Sequence, residues 1–253
     1  MIKHVSILFL GLLIVAGVVF NACTTKNPDI FAGEHEYMNI ASLDTVIGSR
    51  VYDLMTENYF MDVNGDGVND FKLVSEQGYW HGPTHAESRI VCLHDSILLQ
   101  VYAYNDTVYF RKTYSSYQVD GLTIYTETRN YTCEYLNASD SVHLVSSKFQ
   151  ANVLAQGDRL EDTELWERTT LRLTRRDYSY PSFNSIETPD TTYQFHTKYV
   201  TDCHDIVQNQ TVYIIFKLVE DKGERLGWLK LSVSDDHLIQ LMEVALAKKF
   251  LNR

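Results

Sequence analysis

The chain has 253 residues, 45% of them hydrophobic and 22% charged, with 22 Lys and Arg against 33 Asp and Glu. A formal charge of −11 argues against nucleic acid and anionic lipid surfaces as partners, since both are bound through basic patches. The length suits one all-β sandwich or barrel, with two small domains as the alternative.

The first 22 residues open with Lys3, continue through an apolar run from Val5 to Phe20 broken only by Ser6, and end with small Ala22 before Cys23. A positive start, a short apolar stretch and a small residue at the cleavage point make a secretory signal peptide. The run is shorter than the roughly 20 apolar residues a membrane-spanning helix needs. Phe20-Asn21-Ala22-Cys23 resembles the lipobox of bacterial lipoproteins in the relaxed form familiar in the Bacteroidetes. That resemblance implies cleavage before Cys23, diacylglycerol on its sulfur and, with Thr24 following, sorting to the outer membrane. Residues 23–35, including "TTKNPD", read as a tether in which Pro28 breaks any helix, and residues 36–253 as the folded domain. Removing residues 1–22 takes away one charge, Lys3, so the mature chain has 21 Lys and Arg against 33 Asp and Glu, near −12. Such a balance fits a solvated, secreted surface. With Cys23 lipidated, Cys92, Cys133 and Cys203 permit at most one internal disulfide. Cys92 and Cys133 both sit in strand-like runs, as small hydrophobes.

From about Asp44 the chain alternates short period-two runs with polar turns, the pattern of an antiparallel β protein. The strand-like stretches "ENYFMDV" and "DFKLVSE" flank the one turn that carries chemistry, "DVNGDGVNDF", residues 62–71. Calcium takes six to eight oxygens from a tightly curled loop. Asp62, Asn64 and Asp66 at alternating positions, the Val68 carbonyl and Asp70 supply them, and Gly67 supplies the turn. An EF-hand needs a bidentate Glu at position twelve; Leu73 stands there, so this is not one. D-x-N-x-D-G-x-x-D resembles the calcium loops of FG-GAP repeats in integrin-type propellers. It occurs once, and a propeller would repeat it in every blade, so the resemblance implies the ion and not the propeller. A metal-free hairpin turn also favours Asn-Gly and Asp-Gly. Against it stand three carboxylates within nine residues, which repel one another unless screened. Calcium, in a structural role, is the expected cofactor.

Next come weaker constellations. His81 and His85 are four apart, but Gly82-Pro83 forbids the helix that would make this spacing a zinc pair. Cys203, His204 and Asp205 are adjacent, so on a strand they face opposite sides. The stretch "DSILLQVYAYNDTVYFRKTY" is expected to be a hairpin turning at Asn105-Asp106. Further strands are expected in "GLTIYTETRNYTCEYL", "DSVHLVSSKF", "TELWERTTLRLTRR", "TTYQFHTKYVT" and "QTVYIIFKLVE", rich in residues that suit a pleated, half-buried surface. Ten or so strands need two layers, or a partly closed barrel, to bury one face each. The 17 tyrosines and Trp80, Trp166 and Trp228 offer a sugar-stacking platform or, more ordinarily, strand-face packing.

Five Asp-Ser/Thr triplets resemble the O-glycosylation signal of Bacteroidetes secreted proteins, which implies modification at Thr45, Ser96, Thr107, Ser141 and Thr191. A turn Asp before a strand gives the same triplet. At the C-terminus "HLIQLMEVALAKKF" has helical propensity and a capping Asp, whereas Ile239, Leu241 and Ala245 also alternate. "RLGWLKLSVSDDHLIQLMEVALA" resembles the closing hairpin of uncharacterised secreted Bacteroidetes lipoproteins, which implies a final strand. No nucleophile elbow, phosphate loop or zincin motif is present. The expectation is an antiparallel β-sandwich lipoprotein of the outer membrane with a non-enzymatic binding or envelope role. Its partners would be the membrane, through the anchor, and a glycan or another envelope protein. The rival is a glycan-active enzyme with paired carboxylates on one sheet face.

Overall fold

The computed structural model describes residues 29–48, 55–78, 84–120, 122–133, 141–161, 165–178, 182–188, 191–197, 200–204, 206 and 208–251. The signal peptide and Cys23 lie outside them. Within them the chain forms sixteen strands and no helix: β1 (Met38–Ile47), β2 (Met55–Met61), β3 (Phe71–Gly78), β4 (Thr84–Cys92), β5 (Ile97–Val119), β6 (Leu122–Thr132), β7 (Ser141–Ala151), β8 (Val153–Leu154), β9 (Leu165–Glu167), β10 (Thr170–Tyr178), β11 (Ser182–Thr188), β12 (Thr191–Thr197), β13 (Val200–His204), β14 (Val212–Glu220), β15 (Gly223–Val233) and β16 (Ile239–Ala247). Eleven belong to one sheet, with the path β1-β16-β15-β14-β5-β6-β12-β11, and five to a second, ordered β13-β10-β4-β3-β2. Every pairing is antiparallel except β6 with β12. Both sheets are open, so the expected sandwich is found and the partly closed barrel is not.

Residue alternation explains how the layers meet. β14 reads as a continuous apolar run because both its faces are covered. Ile214, Phe216 and Leu218 point into the core between the sheets, with Phe71, Leu73, Ile90, Leu171 and Leu173 opposite. Tyr213 and Ile215 point the other way, into a second core with Trp228, Leu226 and Met38. Ile30 and Ala32, within the stretch read as tether, are buried in that second core, and the Ala32 amide donates to the Asp158 carbonyl at 2.8 Å.

In β15, Gly227 pairs with Phe216, whose ring meets Phe71 edge-on at 5.2 Å. A Cβ at Gly227 would fall on that ring and 2.5 Å from the Ala245 carbonyl. Glycine therefore makes the room in which the central aromatic pair packs. The β15–β16 turn is tied to the second sheet by a polar seam. Buried His237, at φ 61°, places Nδ1 2.8 Å from Thr174 Oγ1, which lies 2.6 Å from Ser88 Oγ. Ser75 Oγ donates to the His237 carbonyl at 3.2 Å.

Three sequence expectations are corrected. Residues 105–106 are not a turn: β5 runs unbroken from Ile97 to Val119, facing Ser147 and Ser146 of β7 at that point. Neither Asn105 nor Asp106 has the positive φ a tight hairpin demands. The reversal comes after Val119, which pairs with Leu122, and Asp120 has φ 50°. "TELWERTTLRLTRR" is two strands in different sheets, β9 on β5 and β10 on β4. "TTYQFHTKYVT" likewise divides into β12 and β13. The closing segment is the strand β16, held between β1 and β15. Ile239, Leu241, Val244 and Leu246 enter one core and Ala245 and Ala247 the other, so two flanking strands override helical propensity.

Candidate functional site

β2 and β3 pair up to Met61 and Phe71, and the Asp70 amide donates to the Met61 carbonyl at 2.8 Å, closing the base of the 62–70 loop. Asp62 organises what lies above. Its Oδ1 accepts from the amides of Asn64 (3.2 Å) and Gly65 (2.7 Å), and its Oδ2 from that of Gly67 (2.7 Å). Gly65 and Gly67 have φ of 77° and 89°, left-handed values that any other residue adopts at a cost. Asn64 Oδ1 accepts from the Asp66 amide at 3.1 Å. Asp66 takes the Val68 amide on Oδ1 (2.8 Å) and the Asn64 side-chain amide on Oδ2 (3.0 Å). Although burial pushes the Asp62 carboxyl up, the amides of Gly67, Gly65, Asn64 and Asp66 together hold it below its ordinary value.

Asp70 differs from the rest. It is 1% exposed, and its Oδ2 accepts from the Val63 amide at 2.7 Å. Its Oδ1 lies 2.9 Å from His94 Nε2, an ion pair when the imidazole is protonated, and His94 Nδ1 is 2.5 Å from Ser96 Oγ. Burial pushes the Asp70 carboxyl up, and the charges of Asp62 and Asp66 add to this, while the Val63 amide and His94 oppose it. Half-buried Asp62 and Asn64 and exposed Asp66 thus form a rim and Asp70 the buried root. Val68 stands on the rim with its side chain exposed. Among the described residues no three His, Cys, Asp or Glu side chains converge on one point. The oxygens that can surround calcium here include the Asn64 amide and the Val68 carbonyl, so the donor set is mixed and suits a hard cation. The loop's own amides also supply donors to Asp62 and Asp66, a second way of offsetting the crowding of acids.

His94 has no signal in the linear spacing, and Ser96 only that of its Asp-Ser triplet. They arrive through the β3–β4 pairing, which sets Phe71 beside Cys92 and lets the Leu93 amide donate to the Asp70 carbonyl at 2.9 Å.

The other candidates are dispersed. Thr45 lies at a register shift in β1, with Oγ1 donating to the Leu43 carbonyl at 3.1 Å. Ser96 is half-buried against His94, and Thr107 sits mid-strand opposite Val145. Ser141 is exposed at the start of β7, and Thr191 begins β12. His85 Nε2 is 3.6 Å from Glu87 Oε2. Trp80, His81 and Asp205 lie outside the described residues. Trp228 is fully buried, and Trp166 packs under Lys217 with Nζ 4.4 Å from its ring centre, so both serve packing. Cys133 is disulfide-bonded, whereas Cys92 is a free, buried thiol that desolvation pushes up to about 11. No protein-family model matches this chain, and no curated protein or solved structure is significantly similar to it.

Proposed function

We propose that this chain is a lipid-anchored protein of the outer membrane whose β-sandwich is braced by one calcium ion at the 62–70 loop and which binds a partner rather than transforming it. The observation that carries the ion is the curl of the loop around Asp62, with amides from Asn64, Gly65 and Gly67 gathered on one carboxylate and Asp66 and Asn64 on the same rim. Calcium in this place is a structural clamp between β2 and β3. Asp62, Asn64, Asp66 and the Val68 carbonyl would hold it from the rim and Asp70 from the root.

One carboxylate pair bears on the enzymatic alternative. Glu76 and Glu87 are direct partners across β3 and β4, a carboxylate pair on one sheet face. Arg89 spans them, 3.2 Å from Glu76 Oε2 and 3.5 Å from Glu87 Oε2. Glu87 is held below its ordinary value, first by its hydrogen bond from His85 and against burial. A general acid for glycoside cleavage needs the opposite shift, so Glu87 does not suit that part.

Thermal unfolding of the full chain in detergent, in 10 mM calcium and then in chelator, tests the ion. At about ten times the dissociation constant, mass action adds about 1.4 kcal/mol, a shift of about 3–6 °C for a domain of this size. Asp66→Ala should abolish the shift, and an unchanged melting temperature in calcium would end the ion hypothesis. In the same preparation Cys23→Ala should leave the membrane fraction; persistence there would refute the anchor.

A further inference from the structure

A cavity of about 250 Å³ lies past the Met38–Ala247 end of the β1–β16 pair, between the stretch before β1 and the stretch after β16. We infer that it binds a fatty carboxylate of short to medium length, the aliphatic tail among Ile30, Tyr37, Ala247, Phe250 and Leu251 and the carboxylate at Lys248 and Lys249. This rests on reading the protein as a binder and gives that binding a place away from the 62–70 loop.

The walls are built rather than left over. The Lys248 amide donates to the Tyr37 carbonyl at 2.9 Å and the Leu251 amide to the Glu224 carbonyl at 2.7 Å, so the backbone fixes both sides of the cavity. Lys248 Nζ reaches across to the Glu36 carbonyl at 2.9 Å. The Phe250 ring lies against Arg225, whose guanidinium is 5.4 Å from the ring centre and is itself held by Glu220. Ile30 and Ala247 are buried members of the second core, so the floor of the cavity is the edge of that core. Tyr37, 38% exposed, and exposed Lys248 and Lys249 form its outer part. An apolar hollow with a few polar groups at fixed places is the usual form of a small-molecule site.

The charges choose the head group. Lys248 gives its ammonium to a neutral carbonyl, and among the described residues Lys249 has no carboxylate partner. Glu36 also lines the cavity, but its carboxylate is engaged by the Tyr37 hydroxyl, which the charge of Glu36 and, more weakly, that of Glu34 hold above its ordinary value. Two ammonium groups beside one engaged acid receive a single carboxylate through charge-assisted hydrogen bonds. The same acids repel a polyanion such as a nucleotide or a sulfated glycan. The volume, just below that of drug-sized sites, takes one tail and not the two of a phospholipid.

The test is photolabelling of the full-length protein in digitonin micelles with a diazirine-bearing decanoate, followed by peptide sequencing and by competition with hexanoate, octanoate, decanoate, dodecanoate and decanol. Label is expected on peptides containing residues 30–37 and 247–251. Competition should strengthen about fourfold per methylene along the shorter acids and level off once the tail outgrows the cavity. Decanol should compete about fivefold more weakly than decanoate. Lys249→Gln should weaken decanoate by about threefold to fivefold, leaving decanol and the melting temperature unchanged, whereas Tyr37→Ala should weaken both competitors alike. Label spread over the surface with no levelling along the series would mean partition into micelles and overturn the site, as would equal competition by decanol or full affinity in both variants. Label on these peptides together with conversion of the probe to a product would uphold the site and overturn the non-enzymatic reading above. Absence of label beside an intact calcium shift would overturn the site alone.

Discussion

At the scale of single residues, Gly227 shows a role that propensity alone misassigns. Glycine inside a strand weakens it, so by propensity Gly227→Ala stabilises β15. The geometry reverses the sign, because the new methyl meets the Phe216 ring and the Ala245 carbonyl in a core packed at crystal-like density. Gly227→Ala should lower unfolding stability by about 2–3 kcal/mol, the cost of overpacking a well-filled site. Urea denaturation measures it; a gain in stability would mean that strand propensity outweighs the contact with Phe216. The Gly-Trp pair was legible in the sequence as a strand marker. Its reason was not, since the partner that needs the space, Phe216, is eleven residues earlier and across a strand.

At the scale of elements, the strands with one buried face were readable and those with special neighbours were not. β3 follows its apolar pattern, with Phe71, Leu73 and Ser75 buried on one face. β16, expected as a strand against its helical propensity, is one because β1 and β15 supply a partner on each edge, whereas β5 reads as a hairpin because Asn105-Asp106 is turn-like out of context. In the second sheet, β3, β4 and β10 carry a ladder of charges in which Glu87 is central. His85 hydrogen-bonds to its carboxylate against the opposing effect of burial, and Arg89 and Arg175 add to the lowering. A carboxyl that titrates lower when folded stabilises the fold above its unfolded value, and that contribution is lost as the pH falls through the folded value. Glu87→Gln should therefore cost about 1 kcal/mol at neutral pH and nothing once the pH is well below the ordinary carboxylate range. Denaturant titrations of both proteins across the acid range test this; a difference that stayed constant would place the effect in packing.

At the scale of the whole molecule, the large sheet has a core on each side, which one-dimensional patterning does not announce. The inter-sheet core follows from alternation in β3, β4, β10 and β14. The second core needs a cover, and part of that cover comes from a stretch whose polarity and Pro28 make it look like tether. The 62–70 loop was readable as residue types, whereas the buried position of Asp70 beside His94 and the bulge in β10 appear only once strands are paired. Ile30 and Ala32 pack in the second core with Tyr213 and Trp228, whose rings meet edge-on at 5.1 Å. A chain beginning at residue 36 should thus differ sharply from one beginning at residue 29. Losing the buried Ile30 and its neighbour removes about 2–4 kcal/mol, in the range of large-to-small core changes, and uncovers Trp228 from that side. Tryptophan emission should shift to longer wavelength and the melting temperature fall by about 4–16 °C. If both chains melted together with the same emission, residues 29–35 would be a tether after all and the second core would close without them.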